Sequence, residues 1–157
     1  RTGEDKESSM EIKEVKRNKK QYLSLLLLAD EQENMVDRYL EHGTMYVLDD
    51  KGIKAECVVT DEGNGILEIK NIATDPDSQR RGYGKALIDF ISSKYQGKYS
   101  VLQAGTGDSP LTVPFYEKCG FSRSHVVENF FTDNYDHPIY EAGIQLKDMV
   151  YLRKKLV

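Results

Sequence analysis

Several residue types are scarce in this sequence of 157 residues, which has no tryptophan and only two cysteines. Cys57 and Cys119 stand far apart and lack the paired spacing of a zinc site or a disulfide framework, so both are expected to be reduced and buried. The longest nearly unbroken apolar run, residues 25–29, is far too short to cross a bilayer, and no segment has the order of a secretory signal. These absences predict a cytoplasmic protein with no metal and no membrane partner.

An excess of positive charge is also absent, because 22 lysine and arginine residues face 26 acidic residues, giving a net charge of −4. Nucleic acids are held mainly by lysine and arginine, so this acidic chain is not expected to bind them. A substrate selected by charge should be cationic. The composition, with 39% hydrophobic and 31% charged residues, is typical of a soluble globular protein.

One folded domain is expected over residues 10–157, since the length is that of a single domain and no linker or internal repeat interrupts it. Residues 1–9 contain no apolar side chain and are expected to be a disordered leader or a remnant of the expression vector. Met10 is then the expected natural start.

Hydrophobic periodicity and turn residues predict the element order β, α, α, β, β, β, α, β, α, β, β. The strands are predicted at residues 10–15, 44–48, 53–60, 66–74, 99–104, 121–127 and 139–152. Asn18 is expected to cap a leucine-rich helix that runs to Ala29, and Gly43 is expected to end a second helix. This order is typical of a mixed sheet with helices on it, and it differs from a doubly wound parallel fold and from an all-β sandwich.

Two further helices follow the first four predicted strands. The longer one carries an apolar stripe formed by Tyr83, Leu87, Phe90 and Ile91. The shorter one is predicted over residues 109–119, with Ser109 as its N-cap and Pro110 in the first helical position.

A basic segment with two glycines, Gln79-Arg80-Arg81-Gly82-Tyr83-Gly84-Lys85, joins a predicted strand to the longer helix. Main-chain N–H groups converge at a helix N-terminus, which carries partial positive charge, and residues without a Cβ let phosphate oxygens approach them. The segment matches neither the P-loop nor the three-glycine Rossmann pattern. From its residues alone it is either an anion site or a solvated helix start.

This segment resembles the Gln/Arg-x-x-Gly-x-Gly/Ala signature with which GNAT acetyltransferases hold the pyrophosphate of coenzyme A. Asn71-Ile72-Ala73-Thr74 resembles the strand end that pairs with pantetheine in that superfamily, and Phe115-Tyr116-Glu117-Lys118-Cys119-Gly120-Phe121 resembles its second frequent signature. The element order agrees from about Met10 to Leu152. The resemblance implies an α+β class of fold, a mixed three-layer arrangement with a mostly antiparallel sheet of about seven strands and helices on both faces.

The resemblance also implies an N-acetyltransferase that uses acetyl-CoA as its co-substrate. The residues that it assigns to binding acetyl-CoA or coenzyme A are Ile72, Ala73, Thr74, Gln79, Arg80, Arg81, Gly82, Tyr83, Gly84, Lys85, Ser109 and Tyr116. Ser109 departs from the family pattern, which often has asparagine there, although its hydroxyl still offers a hydrogen bond.

Two residues correspond to catalytic positions of the family. An alkylammonium group must lose its proton before it attacks a thioester, and Glu68 corresponds to the catalytic glutamate of the histone-acetylating branch. Tyr116 corresponds to the tyrosine that many members use as general acid. Strand alternation puts Glu68 and Ile72 on one face but about 13 Å apart, so we expect water to relay the proton. The structural alternatives are a strand carboxylate beside Lys70 and a core tyrosine.

The segment at residues 129–138 combines aromatic and acidic side chains, a composition that suits an amine bearing apolar groups. Its candidate contacts to a small-molecule acceptor are Phe131, Tyr135, Asp136 and His137. A packed surface loop or the interface of a homodimer explains the same composition equally well. The sequence therefore predicts acetyl transfer to a primary amine, with a non-catalytic acyl-CoA-binding regulatory module and a general anion-binding protein as the alternatives.

Overall fold

The computed structural model describes residues 10–157, and the predicted leader at residues 1–9 lies outside the described part. The described elements are β1 (Met10–Val15), α1 (Leu23–Ala29), α2 (Glu33–Val36), β2 (Thr44–Asp50), β3 (Ile53–Gly63), β4 (Ile66–Thr74), α3 (Tyr83–Tyr95), β5 (Val101–Gly107), α4 (Val113–Lys118), β6 (Ser122–Val127), α5 (Phe130–Asn134), β7 (Ile139–Glu141), β8 (Ile144–Leu146) and β9 (Met149–Lys155). Short 3-10 turns lie at Lys19–Tyr22 and Pro76–Ser78.

Seven of the strands form one sheet in the order β1-β2-β3-β4-β5-β9-β6, and β7 and β8 form a separate two-stranded ribbon. The pairs β1/β2, β2/β3, β5/β9 and β6/β9 are antiparallel, whereas β4 and β5 run parallel. The predicted fold class, a mixed and mostly antiparallel sheet of about seven strands with helices, is thereby confirmed.

Contacts along the chain define two compact units. One contains residues 10–60 together with Lys70–Ile91, and the other contains Asp61–Ile69 and Ser92–Val157. The first unit has an apolar core built by Val15, Leu26, Val36, Tyr39, Leu40, Met45, Val47 and Val58. The second has a smaller cluster built by Phe131, Ile139 and Leu146.

The entry to the first helix differs from the prediction. Asn18 is left-handed with φ +52° and its side chain makes no capping hydrogen bond. Its carbonyl instead accepts the N–H of Gln21 at 3.1 Å, which closes a 3-10 turn, so α1 begins only at Leu23. The prediction of an asparagine N-cap for this helix was wrong, because Asn tolerates the left-handed conformation that starts the turn.

The second predicted helix is only one turn long, and it ends at Val36. The chain then continues through turns in which Gly43 N–H donates to the carbonyl of Tyr39 at 2.9 Å. A Cβ at Gly43 would lie 2.7 Å from that carbonyl oxygen and 2.8 Å from Val58 Cγ1. Glycine is needed at this position because the backbone approaches its neighbours closely.

The predicted helix over residues 109–119 begins later, at Val113. Ser109 Oγ accepts the N–H of Leu111 at 3.0 Å, so this serine caps the preceding turn and Pro110 lies outside the helix. Pro114 occupies the first turn of α4, where its missing N–H has no intrahelical partner to lose.

The single strand predicted over residues 139–152 was wrong, because β7, β8 and β9 lie there. Ala142 and Gly143 have φ values of +52° and +76°, the left-handed pair that closes a two-residue hairpin. Alanine rarely adopts this conformation, so the sequence gives little sign of the turn.

Candidate functional site

The start of α3 is a helix N-terminus with an open glycine before it. The carbonyl of Gly82 accepts the N–H of Ala86 at 2.9 Å, which is the first hydrogen bond of the helix. The carbonyls four residues before Tyr83, Gly84 and Lys85 lie outside the helix. The α-helical hydrogen bonds therefore do not use the N–H groups of these three residues. These amides point outward from the positive end of the helix dipole, the arrangement that binds phosphate.

The backbone before α3 gives an anion access to these amides. Arg80 and Gly82 both have positive φ, +67° and +81°, and a Cβ placed on Gly82 would have no atom within 4 Å. The space beside Gly82 is therefore open, and its main chain is exposed. This geometry fits the diphosphate of coenzyme A.

The side chains of the segment divide into two groups. Gln79, Arg80 and Arg81 are exposed, and the Lys85 ammonium bonds the Asp89 carboxylate at 2.8 Å. Tyr83 is buried, and its hydroxyl donates to the Asp50 carboxylate, a hydrogen bond that raises the pKa of the phenol. Tyr83 can therefore offer an anion only its main chain.

The end of β4 belongs to the same unit as this helix start. Ala73 is buried, and Ile72 and Thr74 are half-buried. The parallel register with β5 ends at the pair Ile69 and Ala104, although β4 continues to Thr74. The strand thus extends past its ladder, as a strand must do if its main chain is to pair with another extended group.

The side chain of Asn71 holds the end of β4 in place. Its buried side-chain NH₂ donates to the carbonyl of Leu26 at 3.0 Å and to the hydroxyl of Tyr39 at 2.9 Å. The Tyr39 hydroxyl in turn donates to Asp30 at 3.0 Å. Burial, and then the negative charge of Asp30, raise the pKa of Tyr39, so it stays a neutral donor.

In the second unit, Glu68 begins a row of polar side chains across three strands. Glu68 on β4 faces Gln103 on β5, and Gln103 faces Arg153 on β9. Gln103 Nε2 donates to Glu68 Oε1 at 2.7 Å, and Arg153 Nε donates to Gln103 Oε1 at 2.8 Å. Glu68 and Gln103 are only 5% and 6% exposed, so the row is largely shielded from water.

The next row on this face is aromatic. Gly105 faces Tyr151 on β9, and a Cβ at Gly105 would lie 2.9 Å from the Tyr151 ring. Burial, and then the charge of Glu68, raise the pKa of Tyr151 to about 12. The imidazole of His125 stacks on this ring at 4.7 Å with an interplanar angle of 4°. A neutral phenol therefore lies near Glu68.

Tyr116 lies in α4, with its ring buried edge-to-face against Phe115 and Phe121 at 5.3 and 5.4 Å. Its N–H donates to the carbonyl of Thr112 at 3.1 Å, and its own carbonyl accepts the N–H of Phe121 at 3.1 Å. Ser109, also buried, accepts a hydrogen bond from Leu111 and keeps its own O–H for another partner.

The four acceptor candidates line one cavity of about 220 Å³. Phe131 and Tyr135 stack with their ring centroids 5.6 Å apart, and His137 Nδ1 lies 2.6 Å from the carboxylate of Asp136. The rest of the lining is Thr132, Pro138, Ile139, Gln145 and Leu146. The cavity has aromatic walls, one carboxylate and no lysine or arginine.

Sequence reasoning missed several residues of these regions, above all Gln103, Arg153, Tyr151 and Glu56. A glutamine inside an apolar strand was a usable signal for Gln103. Glu56 on β3 is fully buried, and neither of its carboxyl oxygens has a hydrogen-bond partner within residues 10–157. Burial raises the pKa of this carboxyl well above its usual range.

Between Met10 and Val157 no group of three or more histidine, cysteine or acidic side chains is placed to hold a metal ion. In the same range no helix is long and apolar enough to cross a membrane.

The mixed seven-stranded sheet, with a helix that begins after its fourth strand, is a fold of the acyltransferase class. Residues 41–123 match the family model described as the acetyltransferase (GNAT) domain. The N-acetyltransferase YvbK of Bacillus subtilis is 37% identical over 131 residues, which cover 82% of this chain and 84% of that protein. The chain belongs to the GNAT acetyltransferase family, and it is an N-acetyltransferase.

Solved structures agree with this assignment. A GNAT family acetyltransferase from Elizabethkingia anophelis with acetyl-CoA bound is 33% identical, with a TM-score of 0.88 over 94% of this chain and 98% of that one. The Bacillus subtilis acetyltransferase in complex with CoA is also 33% identical, with a TM-score of 0.85 over 94% and 99%. Both are similar to this chain over nearly their whole length.

Proposed function

We propose that the protein transfers the acetyl group of acetyl-CoA to the primary amine of a small cationic acceptor. The start of α3 carries this proposal, because outward amides, an open space at Gly82 and exposed arginines fit a diphosphate. Similar proteins from Elizabethkingia anophelis and Bacillus subtilis hold acetyl-CoA and CoA respectively, which supports the same co-substrate here.

Main-chain groups of this chain do most of the binding. The amides of residues 82–85 bind the diphosphate, and Arg80 and Arg81 add positive charge beside it. The main chain of Ile72, Ala73 and Thr74 pairs with pantetheine. An amide at Ile72 or Ala73 donates to the thioester oxygen, where negative charge develops as the amine attacks.

Glu68 and Tyr116 move the protons. Glu68 removes a proton from the acceptor ammonium through water, which frees the nitrogen lone pair for attack on the thioester carbon. Attack leaves one proton too many on the acceptor nitrogen. The C–S bond then breaks as the Tyr116 hydroxyl gives its proton to the departing sulfur, and the extra proton on nitrogen passes through water to the Tyr116 oxygen. The proton taken by Glu68 is released to solvent. The shielding of Glu68 by its neighbours supports this role, because a base works best where bulk water does not compete.

The cavity at Phe131–Leu146 is the proposed acceptor site. Its aromatic walls suit an apolar body, and Asp136 suits an ammonium group. A volume of about 220 Å³ is below the usual range of small-molecule pockets, so the cavity suits only a small acceptor or the amine-bearing end of one.

Tyr116→Phe tests the proposal most directly. Removing the hydroxyl should lower kcat by about a hundredfold or more, while CoA affinity stays within about twofold, because the ring packing is kept. Thiol release with a panel of primary amines measures turnover, and calorimetry measures CoA binding.

Tyr140→Phe is the matched control, since this tyrosine is 59% exposed on β7 and has no proposed role. Its kcat should equal that of the wild type. Unchanged turnover in Tyr116→Phe would remove Tyr116 from the mechanism. CoA binding without thiol release from any amine would instead indicate a binding module.

A further inference from the structure

The row Glu68–Gln103–Arg153 is more than a buried polar contact. We propose that Gln103 and Arg153 are positioning residues, in which Arg153 fixes the amide of Gln103 and Gln103 holds the Glu68 carboxylate as a proton acceptor. This inference rests on the proposed function, since it concerns the base of that reaction.

The register of the sheet builds this row. Glu68 and Gln103 are direct partners of the β4/β5 ladder, and Gln103 and Arg153 are direct partners of the β5/β9 ladder. Side chains of direct partners share one face of a sheet, so the three side chains lie in line across it. A group held by paired strands is located more accurately than one held by a loop.

Arg153 decides which way the Gln103 amide points. The Arg153 Nε–H can only donate, so the Gln103 group facing it at 2.8 Å must be the carbonyl oxygen. The NH₂ of Gln103 then has to face Glu68, where it donates at 2.7 Å. A flipped amide would turn its oxygen against the carboxylate and lose both hydrogen bonds.

The amide also separates the two charges. A guanidinium group that contacted Glu68 directly would form the strong bidentate pair that arginine makes with carboxylates, and it would compete with the acceptor ammonium. Through Gln103, Glu68 receives a neutral donor of fixed direction. The carboxylate is thereby oriented by the amide of Gln103, and the guanidinium group bonds to that amide.

Gln103→Met tests the inference, because methionine has a similar length but cannot make either hydrogen bond. We expect kcat to fall about tenfold to hundredfold, the usual loss when a reacting group is misplaced by about 1 Å, while the KM for acetyl-CoA stays unchanged. Gln96→Met repeats the substitution at an exposed position and should leave kcat as it is.

A double-mutant cycle separates positioning from packing. If Gln103 acts through Glu68, Gln103→Met should cost nothing further in kcat once Glu68→Gln is present. Arg153→Met should also lower kcat. The kcat of Arg153→Lys should lie between those of Arg153→Met and the wild type, since lysine lacks the fixed Nε–H. Thermal unfolding of each variant reports its folding independently.

The outcomes distinguish this inference from the proposed function. An impaired Glu68→Gln together with a fully active Gln103→Met would overturn the positioning role alone. The same holds if Gln103→Met lowers kcat equally in both backgrounds. A fully active Glu68→Gln, or a wild type that acetylates no amine, would overturn the base assignment and this inference with it.

Discussion

At the scale of single residues, Glu56 is the largest departure from ordinary protein chemistry. Its carboxyl is enclosed in the first unit, and no group of residues 10–157 hydrogen-bonds to it. A charged carboxylate without a partner costs several kcal/mol in such a place, so the group keeps its proton when the chain is folded.

Glu56→Gln should therefore change how stability depends on pH. The unfolded chain releases the Glu56 proton above a pKa of about 4.5, whereas the folded chain retains it. Wild-type stability should then fall by about 1.4 kcal/mol per pH unit above that value, until the folded group also ionises, and Glu56→Gln should escape this loss.

Urea unfolding between pH 4 and 8 checks this prediction, with exposed Glu14→Gln as the control. The difference in free energy of unfolding between Glu56→Gln and wild type should grow with pH. A difference that stays constant would mean that Glu56 is ionised in the folded protein.

The sequence predicted features that depend on local spacing, such as the start of α3 directly after Gly82. It missed the partners of Glu68, because Gln103 and Arg153 reach it through strand pairing between distant parts of the chain. Register of that kind is set by packing of the whole sheet.

At the scale of elements, the ribbon of β7 and β8 packs closely against one glycine, Gly107. A Cβ at Gly107 would lie 2.6 Å from Leu146 Cδ1, and Leu146 lines the proposed acceptor cavity. The position of this ribbon therefore depends on the absence of a side chain at the end of β5.

Gly107→Ala should push Leu146 away and reshape the cavity. We expect the KM for the amine to rise about tenfold and stability to fall by about 1–3 kcal/mol, with CoA affinity unchanged. Steady-state kinetics and thermal unfolding measure these effects. Adding Leu146→Ala should make room for the new methyl group and recover part of the loss in KM. A double variant no better than Gly107→Ala would contradict this steric account.

Elements with strong periodicity, such as α3, were predicted closely. The elements that were wrong depend on single unusual residues, because the left-handed Ala142 creates a hairpin and the left-handed Asn18 delays α1. Helix and strand propensities do not reveal a single residue with positive φ.

At the scale of the whole molecule, the fold class followed from element order, but the two compact units did not. Their boundaries fall after Thr60, Ile69 and Ile91, inside two strands and one helix. The composition does not change at these boundaries, so the sequence contains no linker that would indicate them.

A ligand that binds only the folded chain should stabilise all of it. CoA at a hundred times its Kd should raise the free energy of unfolding by about 2.7 kcal/mol. ADP at the same concentration should stabilise much less, since it has a diphosphate but no pantetheine for Ile72–Thr74. Thermal unfolding compares the two. Equal stabilisation by ADP would indicate a general anion site.

The side-chain amide of Asn71 connects β4 to two segments that are distant along the chain. Its two hydrogens are committed to Leu26 and Tyr39, so exchange for the isosteric aspartate or leucine would strand a buried carbonyl or hydroxyl. Asn71 thus holds Leu26 and Tyr39 together at one point. The end of β4 and the first helix are therefore joined by a buried side-chain hydrogen bond.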